Sequence, residues 1–512
     1  MSKIAIQTTG GPSEMVADDS GFPRWVGSFG LFLAIFGFLT IALSLSGRNV
    51  QISISSAGIT LFFGLAALLY HASFEKEEYL RRPYLVVGLV FLAGGLGLVV
   101  LPFFRDNSMG LLPGHALLIL GMLFGLASVR HETSTSVASL AYNAIGLAGA
   151  AFVLVSSVGG AVQAKFLLPH FALMALTGTI LIAGFLSASG IENPSVYRVG
   201  WLLGFVGLVQ IAIAIGRSAL PHMAYSLGWI ENRPASYWVP TGFLLTTLGA
   251  LQFFVSAFFI SESKITILTR RELGSFFFSP IAYIVLLSFV LSTWISYSTF
   301  LDELVMRGGQ PPTEPIVRNY VVSLFTILAV LFAVPLLTMR LLSEEQRTAT
   351  LEVLLTAPVE EPTVVLSKFF AGLIIYLMVW IPYLIYLLAL PLAGAPEFDY
   401  RPLLSFFIGL VASGAGFIAV GLFFSSLTSN QIVAAAMTLS YMIFMLLLYM
   451  LHYQPSLQNT IWTKIIDHMS FLDLWLTTLQ GKLIPRQLAF HVSITVLALF
   501  AAVKVLEARK WK

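Results

Sequence analysis

The strongest constraint in this sequence is a series of fourteen long apolar stretches separated by short polar segments. A helix needs about 20 apolar residues to cross the hydrocarbon core of a bilayer. Because lipid offers no hydrogen bonds to backbone N–H and C=O groups, such segments must be helices or the strands of a closed barrel. The stretches lack the alternating polar positions of barrel strands. The sequence therefore predicts an all-α polytopic integral membrane protein.

The predicted spans begin and end at charged residues, prolines or polar clusters. Those of the first half are 25–46, 52–72, 84–104, 110–129, 137–157, 168–189, 197–216 and 238–260. Those of the second half are 280–299, 320–338, 362–390, 402–426, 430–451 and 488–506. Trp380 and Pro382 predict a kink in span 362–390, because proline leaves a backbone carbonyl without its helical partner.

Composition excludes several other classes of protein. The chain is 57% hydrophobic and only 10% charged, whereas a soluble domain is about 25% charged. A large soluble enzyme, a disordered protein and a coiled coil are thus excluded. The absence of cysteine excludes disulfides, thiolate metal sites and cysteine nucleophiles. The small net charge of +3 gives no indication of a nucleic-acid partner.

The distribution of Lys and Arg predicts the orientation, because cytoplasmic loops are enriched in these residues. With a cytoplasmic N-terminus, the clusters Arg81-Arg82, Arg270-Arg271 and Arg509-Lys510 all fall inside. We therefore expect both termini in the cytoplasm. The expected location is a bacterial inner membrane. Residues 1–24 are interpreted as a cytoplasmic tail, since they show no basic region followed by a short apolar core of the signal-peptide type.

The chemistry missing from the spans is also informative. All 25 Asp and Glu residues lie outside the predicted spans, which disfavours an ion-coupled carrier. Arg198, Lys368 and Lys504 lie near span ends, where we expect them to snorkel to the surface. The sequence has no G-x-x-x-x-G-K-[ST] phosphate-binding loop. Energy for any transport must then come from another chain.

Two polar segments of the second half predict amphipathic helices. In 343–356, Ser343 and Gln346 match a capping box, and acidic residues occupy the first turn. Its polar side carries Glu344, Glu345, Arg347, Thr348 and Glu352, and its apolar side carries Leu351, Leu354 and Leu355. In 264–277, Thr269 and Glu272 match a second capping box, and Arg270 and Arg271 are expected to face lipid head groups. On physical grounds alone, both helices could serve only to orient their neighbours.

Three ordered blocks carry a resemblance to a known family. They are Arg270-Arg-Glu-Leu273 leading into Ser279-Pro-Ile-Ala-Tyr283, then Glu344 to Pro358, then Leu506-Glu-Ala-Arg-Lys-Trp511. Over about 262–512 the chain resembles the permease subunit of type-2 ABC transporters, especially the gliding-motility and nitrous-oxide-accessory branches. One residue departs from the pattern: Ala349 stands where the family commonly has glycine. Alanine favours helix over glycine, so we expect a continuous and stiffer helix here.

The resemblance implies a six-helix permease domain at 262–512 with an interfacial helix at 264–277. It implies that a coupling helix at 343–356 docks on a separate ABC ATPase, which binds the ATP and magnesium, while this chain binds no cofactor directly. It also implies pairing with a second permease copy or a related permease, and export as the direction of transport. A periplasmic or membrane accessory subunit is a further candidate partner.

The resemblance does not account for residues 25–261, which we assign to an eight-helix membrane domain of unknown role. Glycine pairs such as Gly94-Gly95 permit tight helix packing there. Two other function classes therefore stay open. One is a membrane scaffold or sensor with a permease-like half. The other is a membrane-embedded transferase, which would need polar groups such as His115, His170 and His491 to converge.

The segment between the last two spans predicts one more element. Ser470 and Asp473 are placed to cap a short helix that carries Phe471 and Trp475 and ends at Gly481. On the outer side, such a helix is expected to lie in the interface or to dip into the bilayer. It is interpreted either as a lateral lid or as an aromatic anchor.

Overall fold

The computed structural model describes most of the chain as α-helix, with gaps between the described ranges. Those ranges are 21–45, 54–100, 111–163, 167–189, 194–232, 234, 237, 241–277, 279–306, 317–350, 359–392, 401–452 and 461–510. They divide into two compact units. The first comprises Met1–Met223 with Leu244–Ile260, and the second comprises Ala224–Phe243 with Ser261–Lys512.

The first unit is built from long apolar helices. They are α1 (Gly21–Leu45), α2 (Ile54–Phe74), α3 (Glu78–Val100), α4 (Leu111–Val129), α5 (Thr135–Val162), α6 (Ala172–Ser189), α7 (Pro194–Ser226) and α8 (Phe243–Ile260). A single π-helical turn, Leu167–Phe171, precedes α6. This turn was not predicted from the sequence.

The second unit combines long helices with short ones. They are α9 (Lys264–Phe277), α10 (Pro280–Met306), α11 (Val317–Val321), α12 (Leu324–Thr338), α13 (Ser343–Arg347), α14 (Glu361–Met378), α15 (Ile381–Leu392), α16 (Arg401–Leu427), α17 (Gln431–His452), α18 (Ile461–Met469), α19 (Phe471–Thr478) and α20 (Pro485–Lys510). Helices α11 and α18 were not predicted. The helical bounds of α9 coincide with the predicted interfacial segment.

Fourteen helical segments within the described ranges are long and apolar enough to cross a membrane. This number matches the fourteen stretches read from the sequence, and the described residues form no β-strand. The prediction of an all-α polytopic membrane protein is confirmed. The weakly apolar stretches 52–72 and 137–157 are both helical in their described parts.

Glycines allow the helices of the first unit to approach each other in pairs. A Cβ atom added at Gly95 of α3 would lie 2.7 Å from the Gly114 carbonyl oxygen of α4. A Cβ atom added at Gly121 of α4 would lie 2.8 Å from the Gly88 carbonyl oxygen of α3. Gly94 and Gly97 face open space instead. Only part of the glycine-rich sequence therefore serves helix packing.

A buried ion pair connects the ends of α3 and α4. The side chains of Arg81 and Glu132 are each 1% exposed, and Arg81 Nη2 lies 3.4 Å from Glu132 Oε2. Arg81 Nε also donates a 2.6 Å hydrogen bond to the Ser128 carbonyl. Nearby, the Tyr84 hydroxyl and His71 Nδ1 lie 2.9 Å apart and link α3 to α2. These contacts fix the relative placement of the helix pairs within the first unit.

The predicted kink in span 362–390 is a break between α14 and α15. The helix opens at Val379 and Trp380, just before Pro382, because the proline ring clashes with the carbonyl of the preceding turn. The Trp380 N–H bonds instead to the Leu377 carbonyl at 3.2 Å. Trp380 is thereby turned into the core of the second unit and is 4% exposed.

The predicted short helix between the last two spans is present as α19. Ser470 Oγ accepts the Asp473 N–H at 3.2 Å as its N-cap, and Gly481 follows the helix with a φ of 76°. Trp475 is fully buried and donates a 3.0 Å hydrogen bond to Ser413 of α16. The interpretation of this tryptophan as an anchor in the membrane interface is therefore wrong, since its ring packs inside the unit.

Candidate functional site

One buried serine, Ser425, fixes the chain that follows α12. This part of the chain is described as far as Thr350. We call residues 339–350 the coupling segment. Ser425 Oγ of α16 accepts the N–H groups of Leu342 and Ser343, both at 3.0 Å. The same hydroxyl donates to the Met339 carbonyl at 3.1 Å. Ser425 thus satisfies the free N–H groups at the start of α13, which is the usual task of an N-cap side chain.

The predicted capping box at Ser343 and Gln346 is wrong. Ser343 is the first helical residue of α13 and is fully buried, and its hydroxyl bonds to the Met339 carbonyl. Gln346 Nε2 reaches across to the Ser426 carbonyl at 2.9 Å. The pattern failed because a hydroxyl from another helix, far away in sequence, caps these backbone groups.

The expectation of a continuous helix through Ala349 is also wrong. Helix α13 ends at Arg347, and Ala349 has a φ of 56°, in the left-handed region. A Cβ atom makes this conformation costly by about 1–2 kcal/mol. Alanine therefore adopts here the turn for which glycine is the usual choice, and intrinsic helix propensity is overridden by the way the segment is fixed at Ser425.

Lys368 of α14 lies at the centre of a buried charge cluster. Its ammonium nitrogen is 2.9 Å from Glu272 Oε2 of α9 and 2.7 Å from Glu345 Oε1 of α13. The lysine side chain is only 2% exposed. The prediction that Lys368 snorkels to the surface is wrong, because two carboxylates compensate its charge inside the protein. We call Glu272, Glu345 and Lys368 the charge triad.

The electrostatics of the triad favour an ionised Glu272 carboxyl. Burial by itself would raise the pKa of the Glu272 carboxyl, but the charge and hydrogen bond of Lys368, aided by Arg271, hold that pKa below its usual range. Glu345 Oε2 has no hydrogen-bond partner in the described part of the chain. The triad thus joins three helices through two carboxyl groups around one ammonium group.

Helix α9 begins differently from its prediction. Ser263 is the residue before the helix, and its hydroxyl accepts the Thr266 N–H at 3.2 Å. Thr269 lies mid-helix and bonds to the Ile265 carbonyl, so the predicted Thr269–Glu272 capping box is wrong. Of the two predicted head-group ligands, Arg270 donates to the Ser261 carbonyl at 2.8 Å, and Arg271 pairs with Glu272 at 3.0 Å.

The exposed part of the coupling segment is its final turn. Arg347, Thr348, Ala349 and Thr350 are exposed, and the two threonine hydroxyls are 3.0 Å apart. Glu344 pairs with Arg340 at 3.1 Å. The structure therefore turns Glu345 inward and leaves Arg347 and Thr348 outward. The remaining predicted contact residues lie outside the described residues: Leu351, Glu352, Leu354 and Leu355.

Residues 309–506 match the family model of the ABC-2 family transporter protein. The matched region contains the coupling segment and all of the second unit from α11 into α20. It supports an ABC-2 type permease segment, a transmembrane component of an ABC transporter without its own nucleotide-binding domain. No curated protein and no solved structure matches the chain.

Several contacts around the coupling segment were not predicted from the sequence. Arg509 of α20 donates to the Ser426 carbonyl at 3.0 Å, beside Gln346. A basic residue at this point suits the exposed carbonyls of the α16 C-terminus. Ser425 and Ser426 gave no signal, because a serine near a helix end is compatible with many roles. Within the described ranges, no three His, Asp or Glu residues are grouped to hold a metal ion.

Proposed function

We propose that this protein is the permease subunit of an ATP-driven exporter and that a separate ABC ATPase docks on its coupling segment. The observation that carries the proposal is the charge triad, because it links the segment's α13 to α9 and α14 by direct ion pairs. Within the ABC-2 segment, Ser425 adds a link to α16. A displacement of the exposed turn can thus reach three other helices through short polar contacts.

The proposed division of labour follows from the position of each side chain. Arg347, Thr348 and Thr350 are exposed and contact the ATPase, with Glu344 at the margin of that surface. Glu345 and Glu272 transmit the motion through Lys368 rather than contacting the partner. Leu351, Glu352, Leu354 and Leu355, which lie outside the described residues, stay in the proposal as contact residues on the strength of the sequence alone. The thermodynamic driving force is ATP binding with magnesium in the partner, and two permease copies or related permeases form the translocation path.

The finer parts of the proposal rest on sequence. The Lys and Arg distribution supports cytoplasmic termini and a cytoplasmic coupling segment. A bacterial inner-membrane location is part of the proposal and rests on the family resemblance. The three residue blocks favour the gliding-motility and nitrous-oxide-accessory branches and export as the direction. Residues 25–261 would then be an additional membrane domain, with an accessory subunit as a candidate partner.

The test is recovery of an ATP-binding partner with tagged full-length protein. Membranes are cross-linked, the chain is purified, and bound ATPase is detected by photolabelling with azido-ATP. We expect a labelled partner with the unmodified chain and loss of most of it in Arg347→Glu, Glu352→Lys and Leu355→Asp. Arg318→Glu is the matched control, because Arg318 is an exposed arginine on the separate helix α11.

Two outcomes would contradict the proposal. One is the absence of any labelled partner, which would favour the alternative of a scaffold or sensor with a permease-like half. The other is equal recovery in Arg347→Glu and Arg318→Glu, which would place the docking surface elsewhere. Correct folding of each variant is checked by its elution volume and its thermal unfolding in detergent.

A further inference from the structure

The last turn of α20 contacts the end of α16 through one arginine. Arg509 Nη2 donates to the carbonyl oxygens of Ser426 and Leu427, at 3.0 Å and 3.3 Å. These two residues are the last of α16. Because the final four carbonyl groups of a helix have no partner within it, the guanidinium supplies donors that the helix itself lacks. A cation is also favoured at this end of the helix dipole.

The carbonyl that Arg509 contacts is bonded to the coupling segment as well. Gln346 Nε2 donates to the Ser426 carbonyl oxygen at 2.9 Å. The preceding residue, Ser425, bonds through its hydroxyl to three backbone groups of the coupling segment. Residues 425 and 426 therefore fix the coupling segment, and residues 426 and 427 are themselves fixed by Arg509.

Apolar packing joins the same three elements independently of the arginine. Leu342 of the coupling segment, Leu422 of α16 and Leu506 of α20 are fully buried members of one hydrophobic cluster. Arg509 follows Leu506 by three residues and is exposed, so it lies outside this cluster. Replacing Arg509 therefore removes hydrogen bonds at the end of α16 and leaves the packing of α20 in place.

The order of the coupling segment should therefore depend on Arg509. Helix ends fray, and fraying is favoured where the free carbonyls have no partner. Fraying at residues 425–427 would displace the Ser425 hydroxyl and the Ser426 carbonyl, to which the coupling segment is bonded. The exposed residues Arg347 and Thr348 would then lose their fixed position.

We propose that Arg509 is a positioning residue, which acts through the last turn of α16 to keep the coupling segment in the conformation that receives the ATPase. The link between Arg509 and the coupling segment concerns this chain alone. Its consequence for docking rests on the function proposed above. The C-terminal turn of α20 thereby controls a surface that lies much earlier in the sequence.

The first test measures amide hydrogen exchange of the full-length protein in nanodiscs, with no partner present. The readout is the exchange of the Leu342 and Ser343 amides, which donate to Ser425 Oγ. We expect Arg509→Gln to accelerate this exchange about fivefold, the factor that corresponds to one typical hydrogen bond. Arg509→Lys keeps a charged donor and should restore most of the protection.

The matched control is Lys504→Gln. Lys504 is an exposed cation of the same helix and pairs with Glu507, so its replacement should leave the exchange of both amides unchanged. A general loss of stability would accelerate exchange in α14 as well, whereas the proposal requires α14 to exchange as in the unmodified protein. Unchanged exchange of the two amides in Arg509→Gln, equal effects of Arg509→Gln and Lys504→Gln, or equal acceleration in α14 would overturn the proposal.

The second test is recovery of the photolabelled ATPase, in which Arg509→Gln should yield several-fold less partner than Lys504→Gln. If Arg509→Gln accelerates exchange but even the unmodified chain recovers no ATPase, the positioning role stands and the proposed function fails. If the unmodified chain recovers the ATPase and Arg509→Gln recovers as much, the proposed function stands and the role of Arg509 in docking is wrong.

Discussion

The Lys368 ammonium and the Glu345 carboxylate form a 2.7 Å ion pair that ties the coupling segment to helix α14. The same ammonium contacts Glu272 of α9 at 2.9 Å. A lysine that is 2% exposed cannot be compensated by water. The position of α13 is therefore coupled to the positions of α9 and α14 through one side chain.

Removing the central cation should destabilise the protein strongly. Lys368→Met retains much of the side-chain length but leaves two partly buried carboxylates, 13% and 20% exposed, without their partner. This loss should cost roughly 2–3 kcal/mol. The measurement is thermal unfolding of the purified protein in detergent. Lys504→Met is the control, because Lys504 is 54% exposed in its pair with Glu507 and should contribute less than about 1 kcal/mol. Equal effects of the two variants would contradict a structural role for the triad.

The low pKa of the Glu272 carboxyl predicts a loss of stability in acid. Its folded-state pKa lies below the usual 4.5, so the carboxyl binds protons more readily in the unfolded chain. Its stabilising contribution is therefore complete above about pH 4.5 and is lost as the pH falls through the lowered folded-state value. Unfolding temperatures measured between pH 7 and pH 3 should fall less steeply in Glu272→Gln than in the unmodified protein.

The matched control for this measurement is Glu262→Gln, which alters an exposed glutamate two residues before α9. Its acid dependence should follow that of the unmodified protein. If Glu272→Gln retained the full acid dependence, the triad carboxylate would not be the group responsible.

Glycine should be tolerated better than alanine at position 349. Ala349→Gly relieves the left-handed strain of about 1–2 kcal/mol, and the greater freedom of glycine in the unfolded chain offsets about 0.5–1 kcal/mol of that gain. We expect a net stabilisation of up to about 1 kcal/mol, measured by thermal unfolding. Ala436→Gly, at an exposed position inside helix α17, should destabilise by about 1 kcal/mol. The same sign for both substitutions would argue against a positive φ at Ala349.

Two neighbouring glycines of α3 should respond oppositely to the same substitution. A Cβ atom in Gly95→Ala would meet the Gly114 carbonyl oxygen and the Leu118 Cγ atom, both at 2.7 Å, which should cost about 1–3 kcal/mol. Gly97→Ala meets nothing within 4 Å, and alanine's helix propensity should stabilise by up to about 1 kcal/mol. Thermal unfolding distinguishes the two. Equal destabilisation would contradict the close approach of α3 and α4.

The predictions that succeeded depend on many residues at once or on short local patterns. The fourteen spans follow from apolar runs, the break before Pro382 from proline geometry, and the α19 cap from the Ser470–Asp473 spacing. Predictions that relied on a local pattern failed where a distant side chain satisfied the same groups. Ser425 replaces the capping box at Ser343, and Glu345 and Glu272 bury a lysine expected at the surface.

The sequence by itself determined that this chain is an all-α membrane protein, because the lipid environment requires long apolar helices wherever the chain crosses it. Only the tertiary structure decided which polar residues face inward. Glu345 and Arg347 are two residues apart in one short helix, yet one pairs with Lys368 and the other is exposed. That difference is set by the packing of α9, α14 and α16 around the coupling segment. Contacts between residues that are distant in sequence leave no periodic pattern in the sequence from which they could be predicted.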